Sequence, residues 1–172
     1  MLWLRMIRVL VAACFRSRLA LVDRSVLRFR VLPTDLDLNV HMNNARYLAL
    51  MDLGRLDLII RTGMWRQVLH QRWQPVLGGC MVRFRRSLKP FQPFTLTSRL
   101  LAWDDKWLYI EHAIEVGGVL ACQAVVRGAF VASDGVVAPA EIAAAAGFAG
   151  EVPALPAWVA ASVSSWREME AR

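Results

Sequence analysis

PTDLDLNVHMNNARYLALMDLGR (Pro33–Arg55) gathers two aspartates, three asparagines and a histidine into ten positions, then runs straight into an apolar stretch. The polar half reads as a loop, because Asx side chains bond nearby backbone and hold turns. The apolar half reads as a helix ending at Gly63. Tyr47, Leu50, Met51, Leu58 and Ile59 keep helical spacing, while Leu48, Leu53, Leu56 and Ile60 cover much of the remaining circumference. A helix that apolar has to be enclosed. Asp52–Arg55 and Asp57–Arg61 are expected to supply its exposed flank with ion pairs.

The flanking segments read as strands. VLRFRVLP (26–33) alternates apolar and basic residues and stops at a proline. After a short amphipathic stretch, MWRQVLHQRW, the period changes to two. VLGGCMVRFRRSLKPF is expected as one long strand, with Val82, Phe84, Arg86 and Leu88 alternating with Arg83, Arg85 and Ser87. FTLTSRLLAW (94–103), WLYIEHAIEV (107–116) and VLACQAVVRGAFVAS (119–133) follow, joined by a turn at Asp104-Asp105-Lys106 and a hairpin at Gly117-Gly118. An Ala-rich helix opened by Pro139, a Gly/Pro linker (147–156) and a helix from Trp158 complete the chain. One strand, one long buried helix and four antiparallel strands make an α+β domain whose sheet curls about the helix. Open sheet edges need covering or pairing, so a homodimer is expected. The organisation reads as an N-terminal amphipathic segment (1–22), a core (23–146), and a linker with C-terminal helix (147–172).

Composition narrows the partners. The 172 residues carry 21 Lys and Arg against 14 Asp and Glu, a net charge of +7, which favours anionic ligands or surfaces. Nucleic acid is unsupported, because stacking aromatics are not interleaved with the basic residues. Cys14, Cys80 and Cys122 lack CxxC spacing and read as buried reduced thiols of a cytoplasmic protein, neither a disulfide framework nor a zinc site. MLWLRMIRVLVAACFRSRL is broken by Arg5, Arg8, Arg16 and Arg18, so it does not span a membrane. VAAC resembles a lipoprotein cleavage box, but the apolar run before it begins only after Arg8. On a helical wheel Arg5, Arg8 and Arg16 share one flank. Such a helix packs on the domain or a partner chain, or rests on anionic lipid at the inner face of a membrane.

The chain has no GxSxG, GxGxxG, Walker or HExxH motif. His70 and His112 read as packed or surface histidines, whereas His41 stands among carboxylates and amides. The constellation is Asp37, His41, Asn43, Asn44 and Tyr47. Asn43 or Asn44 is suited to cap the helix. The unpaired N–H groups and positive dipole end then face the loop of Asp37 and His41. An N–H there stabilises a carbonyl oxygen as it becomes an oxyanion, and a nearby carboxylate attacks that carbonyl or orients a water. The same residues would also serve a capped helix behind an Asx-rich turn.

TDLDLNVHMNNARYL resembles the signature D-x-D-x-x-G-H-V-N-N-x-x-Y of hot-dog-fold thioesterases of the 4-hydroxybenzoyl-CoA thioesterase type. A closer likeness, to the group called thioesterase superfamily member six and its bacterial relatives, extends through VRFRRSLKPFQPF and LLAWDDKWLYIE, over roughly residues 25–145. The resemblance implies a hot-dog fold paired as a homodimer or dimer of dimers, with active sites at the interface. It implies hydrolysis of an acyl-CoA or acyl-carrier-protein thioester, without metal or cofactor beyond the coenzyme A of the substrate. Asp37 would be nucleophile or general base and the Asn44 backbone N–H the oxyanion donor. Asn43 and His41 would shape the pocket, and Tyr47 would line it. Asp35 is the weaker carboxylate, since Asp37 has the family's spacing to Tyr47.

Arg83, Arg85, Arg86 and Lys89 would meet the phosphates of coenzyme A, or else form a solvated edge that discourages sheet association. Leu50, Met51, Val76 and Leu77 would line an acyl tunnel or simply fill core. One departure stands out: the family's glycine before the histidine is Val40 here. Either Asn39 takes over the permissive backbone position, or the thioester fits less closely. Two rival functions are a hot-dog enoyl-CoA hydratase, whose D-x-N-P-x-H D-L-N-V-H approaches but lacks one residue and the proline, and a membrane-associated acyl-CoA-binding or scaffold protein with little turnover.

Overall fold

Six strands form one antiparallel sheet in the computed structural model, which describes residues 2–170. In chain order the elements are α1 (Leu2–Phe15), β1 (Ser25–Arg30), a 3-10 turn (Pro33–Asp35), α2 (Asn44–Arg61), α3 (Trp65–His70), β2 (Gln74–Phe84), β3 (Pro93–Trp103), β4 (Leu108–Val116), β5 (Val119–Ala132), β6 (Gly135–Val137), α4 (Pro139–Ala145) and α5 (Ala157–Glu170). The sheet order is β1-β3-β4-β5-β2, with β6 added to the end of β5. β1 and β2 are therefore the edges, and α2, which joins them, lies across the concave face. This is the hot-dog arrangement the sequence led us to expect.

The inner face of α2 carries Tyr47, Leu50, Met51 and Leu53 into a core with Leu27, Phe29, Phe94, Leu96 and Ile114. Gly54 lets the helix come close: a Cβ there would stand 2.1 Å from the Ser98 hydroxyl on β3. Enclosure is incomplete, however. Leu48 is exposed, and Leu56, Ile59 and Ile60 are only half-buried, leaving an apolar stripe along one side of the helix. The expected Asp57–Arg61 pair also differs, because both residues are buried. Asp57 accepts from the Ser25 hydroxyl at 2.6 Å and faces Arg16 and Arg61 at 3.3 and 3.4 Å. The turn of α2 that points at α1 and β1 thus holds a carboxylate shared by two guanidiniums. Asp52 and Arg55 do pair on the outer side.

The two edges are treated differently. Along β1 the free carbonyls belong to alternate residues, and two arginines of α1 and the one directly after it reach them: Arg16 donates to Val26 at 3.0 Å, Arg8 to Arg28 at 3.1 Å and Arg5 to Arg30 at 2.7 Å. The arginine flank read from the helical wheel is thus spent on a strand edge, where it blocks pairing with another chain. Among the described residues no helix lines the β2 edge in this way; Arg127 reaches a single β2 carbonyl, that of Gly78, at 3.2 Å. The strand pairs with β5 on one side, while Val76, Leu77 and Phe84 are exposed. The segments set apart as 1–22 and 147–172 both pack on this sheet, α1 through Val9 and α5 through Val159, Val163 and Trp166 on the outer face.

Three further expectations need correction. The long strand ends at Phe84, because the N–H groups of Arg85 and Arg86 both turn to the single carbonyl of Ala121 and the ladder stops. The short strand β6 was not foreseen; three residues carry too little pattern to read. Cys14 is exposed, since it lies on the side of α1 away from the sheet, and only Cys122 of the three cysteines is fully buried. The Gly117-Gly118 turn is as expected, both residues having positive φ (57° and 78°) as a two-residue hairpin with right-handed strand twist demands.

Candidate active site

The polar loop is a closed structure. Leu36 and Met42 pair as a one-residue antiparallel bridge, and the Asp37 N–H donates to the His41 carbonyl at 2.9 Å. Inside this ring Asp37 forms an Asx turn: its Oδ1 accepts from the N–H of Asn39 at 2.9 Å and of His41 at 3.3 Å. One carboxylate oxygen anchors the loop. The other accepts no hydrogen bond from the described residues, and the side chain is half-buried.

Val40 closes the turn with φ at 57°, inside the left-handed region. The valine has adopted the backbone conformation that a glycine takes freely, so Asn39 is not the permissive residue. Left-handed backbone at a β-branched residue is disfavoured. The loop keeps this shape because four hydrogen bonds and the Leu36–Met42 bridge over-determine it. Strain of this kind is found at functional sites.

Directly after the loop, Asn43 caps α2, its side-chain oxygen accepting from the Ala45 N–H at 2.9 Å. Asn44 is the first helical residue and is exposed; its N–H has no acceptor within the helix. The helix opens with no acid in its first turn, so no residue of that turn offsets its positive dipole end. Asp37 and His41 lie in the hydrogen-bonded loop that leads directly into the Asn43 cap and Asn44, the first residue of α2.

Asp35 is excluded from this chemistry by its partner. Arg5 clasps it with two bonds, 3.1 Å to Oδ1 and 2.7 Å to Oδ2, and both side chains are buried. Asp35 also accepts from the Leu32 N–H, and its carbonyl receives the Asn43 N–H at 2.8 Å. The two aspartates of the motif therefore divide the work: one is sunk into the fold and holds the loop's base, the other is presented at the tip. Nothing in the sequence signals the Arg5 partner, which lies 30 residues away.

Tyr47 is buried rather than open to solvent, with its ring edge-on to Phe84 at 5.2 Å. Burial pushes its phenol above the usual range, and the Asp37 charge adds to the shift, so the ring stands within electrostatic reach of the loop. Leu88 was not singled out from sequence, yet its carbonyl receives the Met42 N–H at 2.9 Å and fastens the loop from behind. Burial pushes the Cys122 thiol up to about 12, which leaves it no nucleophile.

The basic residues divide. Arg85, Arg86 and Lys89 are exposed on the segment after β2, and Lys89 follows the Leu88 anchor directly. Arg83 is turned away: it lines a groove on the outer face with Met81, Gln123 and Trp158, on the opposite side of β2 from Phe84. A single strand of alternating residues cannot put Arg83 and its neighbour on one face.

A cavity of about 460 Å³ lies along the second half of α2, lined by Leu56, Ile59, Val76, Leu77, Ile110 and Phe130 among others, with Asp52 and Arg55 as its charged members. Leu50 and Met51 are core instead, while Val76 and Leu77 do line the cavity. Beside it, His112 is wholly buried. Arg55 donates to its Nε2 at 3.2 Å, which leaves Nδ1–H to donate to the Ser98 oxygen at 2.7 Å. Among the described residues, no three His, Cys, Asp or Glu side chains converge as a metal centre requires.

Comparison with known proteins bears on the fold and the family. The chain is 43% identical over 82 residues to protein THEM6 of Xenopus laevis, covering 48% of this chain and 40% of the relative. It is 34% identical over 134 residues to THEM6 of Danio rerio, covering 73% and 66%. The match thus spans about two-fifths to two-thirds of these relatives' length. Among solved structures, the probable thioesterase YbaW of Escherichia coli superposes with a TM-score of 0.65 at 19% identity, over 70% of this chain and 94% of that one. A 4-hydroxybenzoyl-CoA thioesterase variant, crystallised with 4-hydroxybenzoyl-CoA, gives 0.64 at 18%, over 72% and 98%. These likenesses show the fold. Residues 31–163 match the family described as the thioesterase-like superfamily, and with loop, cap and wrapped helix all in place, the chain belongs to it.

Proposed function

We propose that this chain hydrolyses acyl thioesters at the tip of α2. The carbonyl oxygen of the thioester takes the Asn44 N–H, where the developing oxyanion also meets the helix dipole. The unanchored oxygen of Asp37 attacks the carbonyl carbon or draws the proton from a water that does so. His41 and Asn43 frame the pocket, Tyr47 supports the loop from within, and Arg85, Arg86 and Lys89 are placed for the phosphates of a coenzyme A or acyl-carrier-protein thioester. Arg83 takes no part within its own protomer. The observation that carries this reading is the division of labour at Asp37, one oxygen held by two backbone N–H groups and the other left for chemistry.

The acyl group needs a second element. Asp52, the first α2 residue to line the cavity, lies about 12 Å along the helix from Asn44 at 1.5 Å per residue. The cavity is therefore not continuous with the loop of its own protomer by way of the helix. Both the uncovered β2 edge and the apolar stripe of α2 border it, and these are the surfaces a second copy would cover. A homodimer paired through β2 is our reading, with the cavity at the joint. Leu77→Arg on that edge is expected to halve the mass in sedimentation; a wild type that sediments as a monomer refutes the pairing.

Asp37→Asn tests the mechanism cleanly, because an asparagine Oδ1 still accepts both loop N–H groups. Turnover of a panel of acyl-CoA esters, read by trapping the released thiol, is expected to fall by about 10²–10⁴-fold with the melting temperature unchanged. Full turnover in Asp37→Asn would remove Asp37 from the chemistry.

A further inference from the structure

The arginine flank of α1 is consumed by the β1 edge, which leaves the opposite face to be explained. Trp3, Leu4, Ile7, Val11 and Phe15 are each 52–87% exposed, and Cys14 is exposed beside them. At 100° per residue these six fall within an arc of about 120°. The buried residues Arg5, Val9 and Ala13 lie on the other side. The helix is apolar outward as well as inward, and it cannot roll to hide the outer face, because Arg5, Arg8 and Arg16 fasten it to three carbonyls of β1.

The geometry points to an anionic lipid bilayer as the surface this face rests on. Residues 1–22 contain no Asp or Glu. Arg18, just beyond the helix, and Arg28 and Arg30, on the β1 edge that the helix covers, have exposed side chains and form a basic rim beside it. Anionic headgroups complement that rim. A second copy does not: it would bring the same arginines against these and no acid to meet them. The 14-residue helix is about 21 Å long, and no described helix is long and apolar enough to cross a membrane. It lies flat along the sheet edge, with Trp3 and Phe15 at its two ends, as an interfacial helix lies in the headgroup plane. Arg5 ties this same helix to Asp35, two residues before Asp37, so docking holds the thioesterase tip at a fixed attitude to the bilayer. Docking does not itself depend on that proposed activity.

The test uses the full chain with phosphatidylcholine vesicles, with and without phosphatidylglycerol, and a Leu4→Ser/Ile7→Ser/Val11→Ser variant. The three side chains are exposed, so circular dichroism and melting temperature are expected to match wild type. Wild type is expected to co-sediment with the anionic vesicles, at least about tenfold less with the neutral ones, and less in high salt. The triple variant is expected to lose at least about tenfold of that binding, whereas Asp37→Asn binds as wild type does. Wild type that ignores anionic vesicles, or a triple variant that still binds them, overturns the proposal. So does a triple variant that dissociates to a smaller species while wild type ignores lipid, for then the face joins two copies.

Discussion

Val40→Gly should make the protein more stable, although valine to glycine on an exposed loop ordinarily does the reverse. Val40 sits at φ 57° with 58% of its surface exposed. A left-handed L-residue costs about 1–2 kcal/mol, and the branched Cβ places valine at the upper end. Glycine removes that cost. Against it stands the greater freedom of glycine in the unfolded chain, about 0.4–1 kcal/mol, and very little lost burial. The balance is a gain of about 1–1.5 kcal/mol, or roughly 2–6 °C in melting temperature for a chain of this size. Val40→Pro is the control. Proline cannot reach positive φ and has no N–H, so it also forfeits the 3.1 Å bond from Val40 to the Asp37 carbonyl. It should destabilise and should release the Asp37 carboxylate from its turn. Thermal melts and acyl-CoA turnover of the three proteins are the assay. Turnover in Val40→Gly should equal or exceed wild type, because the N–H groups holding Asp37 are kept. A lower melting temperature in Val40→Gly, or a proline variant indistinguishable from wild type, would show that residue 40 does not hold this conformation.

Two other perturbations follow from buried charge. Arg5→Met leaves the Asp35 carboxylate buried without its counterion, which should cost about 3–5 kcal/mol; Arg5→Met/Asp35→Leu should recover much of it in denaturant melts, and an undiminished loss in the double variant would mean that α1 packing, not charge, was lost. His112 is held neutral by burial first and by Arg55 second, its pKa well below the usual value. Because the unfolded chain takes up a proton near pH 6.5 that the folded protein refuses, His112 contributes stability above that pH and loses it on acidification. The loss approaches about 1.4 kcal/mol per pH unit. Denaturant melts at pH 7.5 and 5.0 should show this slope in wild type and a shallower one in His112→Asn; equal slopes would count against the buried neutral histidine.

What the chain spelled out by itself was whatever depends on near neighbours. Strand alternation, the Gly117-Gly118 turn, the capping asparagine and the spacing of Asp37 to Tyr47 are all set by residues a few positions apart, and all were legible. The curled sheet about a central helix followed from counting apolar faces, although the helix is enclosed on one side only. Tertiary structure decided the partners of the polar groups. Asp35 and Asp37 look alike in the motif, and only the arrival of Arg5 from 30 residues upstream separates an internal anchor from a presented carboxylate. Arg83 and Arg86 sit in one basic run, yet the pleat and the early end of β2 send them to different places. The arginine flank of the N-terminal segment reads as packing on the domain or a partner chain, or as resting on lipid; the β1 edge claims it, and that turns the apolar side of the helix outward. Local sequence carries periodicity and turn chemistry because those energies are local; which charge meets which is settled by sheet order and register, where residues far apart in the chain compete for the same buried hydrogen bonds.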